Sequence, residues 1–254
     1  MGSPGVLSEA HTSHQGVVMP ASKACHVAKP SSKWRVEGSN DFLIVRGALS
    51  VDDVDRAVGE FRSNPRTRAR LHDVARPLYN ERHTLQVQID AGSCGWLTRK
   101  LAHVCLEVGD ETFRILPRDK NGRRSWAFEE LQFLEYKAQM HFKTWHLDAE
   151  HGGTDIEDRR VLTAVVMLSM KQDFTGGKFQ CRSKVAGKQS VKSLRLDKGD
   201  IVLFPAKQLE HRVTAVESGT RRTLVRCTKL SCCSSSVQVV WLRSRGLHTQ
   251  HVCG

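Results

Sequence analysis

Trp145-His146-Leu147-Asp148 sets an imidazole and a carboxylate two positions apart. On an extended strand, residues i and i+2 leave the same face. Such a pair can grip one divalent ion and leave much of its coordination sphere open. Two histidines and one carboxylate on one facet form a donor set suited to non-haem Fe(II). Alone, His-x-Asp is a weak signal, since a solvated polar pair on a strand's outer face reads the same way. The third donor has to come from far along the chain.

His211 is the candidate, 65 positions downstream of His146 (211 − 146), at the head of an extended His211–Val216 stretch. That gap predicts a ligand from the opposite sheet. Arg221 follows ten positions later (221 − 211), and a hairpin at Ser218-Gly219 would bring its strand back beside His211. A guanidinium there can pair bidentately with a carboxylate. Thr223 shares the face of Arg221 and offers a hydroxyl. Alternation turns Arg222 and Glu210 away, and His141, five positions before His146, also falls on the opposite face. His151, before Gly152-Gly153, reads as loop, and His103 reads as a surface or packed histidine on a helix.

The elements that must position these groups are mostly strands. Candidates recur at Leu131–Tyr136, His141–Leu147, Val161–Ser169, Lys178–Arg182, Val191–Leu196, Ile201–Phe204, His211–Val216 and Thr223–Thr228. Turn signals separate them at Gly152-Gly153, Gly176-Gly177, Lys198-Gly199-Asp200 and Ser218-Gly219. Such spacing predicts a mainly β protein, two facing sheets in a jelly roll whose mouth suits a small ligand. Ahead of it, Asp41–Val45 and Thr84–Ile89 read as strands. A helix after Ser50 carries Val51, Val54, Val58 and Phe61 on one stripe and ends at Pro65. A second helix over Gly95–Val108 carries Leu97, Leu101, Val104 and Val108. Both helices can pack on one sheet. Pro117–Arg124, with Asn121-Gly122, reads as a basic loop, and Val237–Leu242 as one more possible strand.

The 254 residues suffice for one substantial domain, and the net charge of +12 favours acidic partners: nucleic acid, an anionic surface or an acidic protein. No apolar run reaches membrane-spanning length. Eight cysteines without C-x-x-C or zinc-finger spacing read as free thiols in a reducing, intracellular and most simply cytoplasmic compartment. Residues 1–35 are Ser-rich with Glu9 the sole acid, which fits disorder or a transit peptide equally. Residues 36–230 read as the folded domain, with a core over 129–228, and 231–254 as a loose Ser/Cys-rich tail.

His146-x-Asp148, His211 and Arg221-x-Thr223 together resemble the Fe(II)/2-oxoglutarate dioxygenases, nearest the prolyl 4-hydroxylase-like branch with its bacterial PKHD-type hydroxylases. Tyr136, Phe142-x-x-Trp145, Arg160-x-x-Thr163, Leu168-Ser169, Phe174-x-Gly176-Gly177-x-Phe179 and Lys198-Gly199-Asp200-x-x-x-Phe204 add to the likeness, which is dense from Glu129 to Thr228. Two positions depart from it. Prolyl hydroxylases proper usually carry Lys where Arg221 stands, and Lys137-Ala138-Gln139 replaces a Gly-rich turn.

The resemblance implies a double-stranded β-helix, cupin-like, with Fe(II) on His146, Asp148 and His211. It implies 2-oxoglutarate and O₂ as co-substrates, ascorbate as an accompanying reductant, and Arg221 on the distal carboxylate of 2-oxoglutarate. Tyr136, Thr163 and Thr223 are further hydrogen-bonding candidates to that co-substrate. Arg160, near the mouth, and Trp145 are the candidates for touching substrate. The activity implied is hydroxylation of a peptidyl residue such as proline, coupled to decarboxylation of 2-oxoglutarate to succinate. A nucleic-acid demethylase or hydroxylase of the same superfamily is the second reading. Its dealkylating branch, however, uses two arginines six apart, whereas Arg221 and Arg226 are five apart. A non-catalytic metal-binding cupin-like protein is the third.

Overall fold

The computed structural model describes residues 33–65, 67–68, 82–89, 93–116, 126–149, 160–185, 188–230, 239–243 and 246–250. Residues 1–32, the Asn121-Gly122 turn, and His151 with Gly152-Gly153 lie outside them. The chain begins with β1 (Arg35–Gly38) and β2 (Leu43–Arg46), then helix α1 (Val51–Arg62), β3 (Thr67–Arg68), β4 (Arg82–His83), β5 (Leu85–Ile89) and helix α2 (Gly95–Val104). A wide π turn, Cys105–Asp110, and the short α3 (Glu111–Phe113) prolong α2. Ten strands follow: β6 (Trp126–Phe128), β7 (Leu131–Lys137), β8 (His141–His146), β9 (Arg160–Met167), β10 (Phe174–Gly176), β11 (Phe179–Val185), β12 (Lys188–Leu194), β13 (Ile201–Pro205), β14 (His211–Val213) and β15 (Val216–Leu230). A separate hairpin, β16 (Val239–Arg243) with β17 (Gly246–Gln250), comes last.

These strands form the expected jelly roll. The larger sheet runs β1-β2-β13-β9-β15-β7-β5-β3, with β6 and β10 also on β15; the smaller runs β12-β11-β14-β8-β4. Alternation along each strand splits the apolar residues into two layers. Ile44, Leu134, Tyr136, Val165, Val202 and Phe204 of the larger sheet meet Phe142, Phe179, Cys181 and Val213 of the smaller. On the other face, Leu43, Val45, Phe133, Ala164, Val166, Leu203 and Leu224 meet the helices through Val54, Ala57, Phe61, Leu97, Leu101 and Val108. Each such side chain, fully buried, contributes roughly 1.5–3 kcal/mol. The helices thus brace the sheet that carries Tyr136 and Arg221.

Local chemistry explains the ends. The Ser50 hydroxyl accepts from the Asp53 amide while Asp53 accepts from the Ser50 amide, a reciprocal cap on α1. Asp200 is buried and accepts from the Gly47 and Asp197 amides and from Arg46, fixing the turn before β13. In the wide turn that prolongs the second helix, Gly109 lies on Leu162, where an added Cβ would stand 2.8 Å from Cδ2. Cys94, Cys105, Cys181 and Cys227 are free and buried, as expected of reduced thiols.

Two expectations fail. Ser218-Gly219 is no hairpin: β15 continues through it, and β10 pairs alongside. Gly219 takes φ +76°, and its missing Cβ makes room for the Asp173 carbonyl. His211 also does not come from the opposite sheet. Strand β14 lies beside β8 in the smaller sheet, with His211 directly opposite His146.

Candidate metal centre and anion pocket

His146 closes β8 and His211 opens β14, so cross-strand pairing alone brings their rings to 4.2 Å between centres. Asp148 lies two residues past the end of β8. Its amide and that of Ala149 both donate to the Ala206 carbonyl, pinning the segment to the chain after β13. The carboxylate Oδ1 stands 3.9 Å from His146 Nε2 and 3.6 Å from His211 Nε2. One donor atom from each of the three lies within 4.8 Å of the others.

Hydrogen bonds and packing fix both rings. His146 Nδ1 lies 3.0 Å from the Thr144 carbonyl and His211 Nδ1 3.0 Å from the Leu209 carbonyl. A carbonyl only accepts, so each Nδ1 carries the proton and each Nε2 keeps its lone pair for the centre. Phe142 stacks on His146 at 3.7 Å and Phe179 on His211 at 5.3 Å, both nearly parallel. Burial, and then the neighbouring His211, pushes the His146 pKa down to about 3, so the ring is neutral. Burial works against the Asp148 anion, but His211, His146, Thr163 and Arg160 together hold its carboxyl below the usual range.

Two imidazole Nε2 atoms and a carboxylate whose Oδ2 finds no hydrogen-bond partner suit a divalent ion. Thr163, fully buried, sits by this carboxylate and within 3.7 Å of Cys227 Sγ, rather than beside Arg221. Arg160 grips both Glu129 oxygens through Nε at 2.9 Å and donates from Nη1 to the Asp148 carbonyl at 3.0 Å. Its guanidinium braces the metal loop.

Across the roll, Arg221 on β15 pairs with Tyr136 on β7. The guanidinium is 1% exposed, lies over the Tyr136 ring at 5.3 Å, and none of its three nitrogens finds an acceptor. Burial lowers its pKa, and Tyr136 opposes the shift. A buried cation costs several kcal/mol unless an anion meets it. A buried guanidinium without an acceptor could hold an anion. Thr223 is buried two residues on, on the same face. Gly177 makes the close approach possible: an added Cβ would stand 2.9 Å from Arg221 Cδ.

Other residues point elsewhere. Arg222 ion-pairs with Glu135 at 2.8 Å, and His103 pairs with Glu107 on its own helix. Arg226 faces the helices, donating to Thr98 and lying over Phe128. Trp145 leaves the outer face of β8, under the guanidinium groups of Arg182 and Arg212 at 4.1 and 4.4 Å. Sequence reasoning missed Arg82, which reaches the site from β4 and lies over Phe142 at 4.9 Å. Its sequence context carries no periodic signal. Phe142 and Phe179 entered the sequence reading only as parts of the resemblance, and Glu129 only as its boundary, none with a role at the site, although the interval from Phe142 to His146 does put those two on one strand face.

Residues 131–227 match the 2OG-Fe(II) oxygenase superfamily. That span holds His146, Asp148, His211, Arg221 and Thr223, the residues that carry the resemblance drawn from the sequence. The family uses Fe(II), 2-oxoglutarate and O₂.

A Pseudomonas putida prolyl-4-hydroxylase superposes with TM-score 0.56 at 20% identity, over 76% of this chain and 94% of its own. The 2-oxoglutarate complex of a viral collagen prolyl hydroxylase from Paramecium bursaria Chlorella virus-1 gives 0.54 at 16%, over 75% and 96%. A Trichoplax adhaerens prolyl hydroxylase bound to a hypoxia inducible factor peptide gives 0.54 at 16%, over 75% and 84%. At these identities the likeness is one of fold. By sequence alone, no curated protein matches the chain. No described helix is long and apolar enough to cross a membrane.

Proposed function

We propose that this oxygenase hydroxylates a C–H bond of a peptidyl residue, proline being the simplest candidate, and that residues 36–230 form its catalytic domain. The observation that carries the reading is the buried, unpartnered Arg221 guanidinium, on the same β roll as the clustered His146, Asp148 and His211. His146 Nε2, His211 Nε2 and an Asp148 oxygen hold Fe(II). Arg221 takes the distal carboxylate of 2-oxoglutarate, with Tyr136 and Thr223 lining the same pocket. When bound, the iron, 2-oxoglutarate and O₂ supply hydroxylation of the substrate, with release of succinate and CO₂.

The chain's own contribution is orientation. Thr144 and Leu209 carbonyls fix the imidazole protons on Nδ1, Phe142 and Phe179 hold the rings, and Arg160 with Glu129 steadies Asp148. The apolar layer between the sheets excludes water from the centre. Arg226, turned toward the helices, leaves the two-arginine pattern of nucleic-acid dealkylation unformed and favours the peptide reading. The Trichoplax structure, which holds a peptide, lends support to the same side.

The test is succinate release from 2-oxoglutarate with and without Fe(II), followed by mass spectrometry of peptide panels for gain of one oxygen atom. Iron-dependent succinate is expected, and it is expected to vanish in His146→Ala and Asp148→Ala while circular dichroism is preserved. Undiminished turnover in either variant would remove the site.

A further inference from the structure

The edge of the smaller sheet is basic and open. Between Lys178 and Lys198 the chain carries seven lysines and arginines against a single acid, Asp197. Strands β11 and β12 make up most of that stretch, and among the described residues β12 has only β11 as a strand neighbour. Gln189, Val191, Lys192 and Ser193 are exposed along it, Val191 by 53%. An edge strand leaves a row of N–H and C=O groups ready to pair with another extended chain.

Lysines on such edges commonly serve only to repel other strands. The register gives Lys192 a second relation. It pairs with Cys181, Cys181 pairs with His211, and His211 pairs with His146. Direct cross-strand partners share a face, so the four form one row leading from the sheet's edge to the metal centre. With strands ~4.8 Å apart, the Lys192 backbone stands about 10 Å from His211 across the sheet.

We propose that this edge docks an acidic, extended polypeptide substrate, pairing along β12 and setting a carboxylate on Lys192. The inference rests on the oxygenase reading of the same site. A polypeptide fits better than nucleic acid because its backbone can continue the β12 ladder. The nearby Trp145 ring, already covered by Arg182 and Arg212, offers no stacking platform for a base.

Fluorescence anisotropy on the full-length protein tests this with three labelled probes. They are a peptide alternating Glu and Val and carrying one Pro, its Gln-for-Glu counterpart, and single-stranded oligodeoxythymidine. The acidic peptide is expected to bind about tenfold more tightly than the Gln peptide, with the preference lost in Lys192→Glu and reduced in Lys192→Gln. Backbone hydrogen exchange along 189–193 should slow on binding. Equal binding of the two peptides, an unchanged preference in Lys192→Glu, unaltered exchange, or tighter binding of oligodeoxythymidine would each overturn the proposal. Iron-dependent succinate release without peptide should be unaltered in Lys192→Glu. Its absence from the unmodified protein would sink the oxygenase reading and leave the binding result standing on its own.

Discussion

The Arg221 guanidinium lies 5.3 Å above the Tyr136 ring, and all three of its nitrogens are buried without an acceptor. An unpaired buried charge destabilises the empty protein, and replacing it with a well-packed apolar group of similar size is often stabilising. Arg221→Met should therefore stabilise the protein without 2-oxoglutarate by about 1–4 kcal/mol, read as a higher thermal midpoint. Added 2-oxoglutarate should raise the midpoint of the unaltered protein and leave that of Arg221→Met where it was. In turnover, Arg221→Ala should raise KM for 2-oxoglutarate by about 30-fold or more, the equivalent of ~2 kcal/mol. An unchanged KM would show that another residue holds the distal carboxylate.

Gly177 tests the same pocket from the side. It sits at φ +52°, and an added Cβ would stand 2.9 Å from both Arg221 Cδ and Val216 Cγ2. Gly177→Ala should cost about 1–3 kcal/mol of stability and displace the arginine stem. Kinetically, KM for 2-oxoglutarate should rise while iron affinity holds. Equal losses in both would indicate general unfolding instead of a shifted Arg221.

Arg160 and Glu129 support the metal loop through the Asp148 carbonyl. Partners that orient a metal ligand typically matter by about 10–100-fold in affinity. Arg160→Ala should weaken Fe(II) binding by that order, measured by competition with a chelator, with KM for 2-oxoglutarate little altered. Full retention of iron affinity would assign Arg160 to substrate contact.

The metal-free protein should lose stability as pH falls from about 6.5 toward 4. His146 is held near 3 in the fold, against an ordinary 6.5, so below 6.5 the unfolded chain binds a proton that the folded chain refuses. The slope is at most about 1.4 kcal/mol per pH unit for one such group. Asp148, depressed in the fold, adds stability that is lost only as pH drops through its still lower folded value, outside this window. Urea midpoints at pH 7 and pH 5 should fall more for the unaltered protein than for His146→Leu. Equal drops would show that His146 takes up its proton in the folded state.

Much of this was legible in the residues because short-range rules govern it. His146 and Asp148 declared a shared facet by their spacing, Ser50 declared the start of a helix, and the strand intervals declared a jelly roll. Arg221 and Thr223 were placed on one face by alternation, which holds wherever β15 is extended. Even the departure at Lys137-Ala138-Gln139 was resolved locally, with Gln139 taking the left-handed φ of +69° that a glycine would accept more easily.

Pairing partners were beyond the sequence's reach. Which strand lies next to which is set by closing both layers at once, and no interval along the chain encodes it. Hence His211 proved to be a neighbour of His146 in one sheet, and Gly219 let a strand run on where a turn was expected. Tertiary packing alone assigned Arg160 to Glu129 and Asp148, brought Arg82 over Phe142, and sent Arg226 to the helices while burying Arg221 without a protein acceptor. Charge type is written residue by residue. Whether a charge is answered depends on what the fold brings within hydrogen-bond reach.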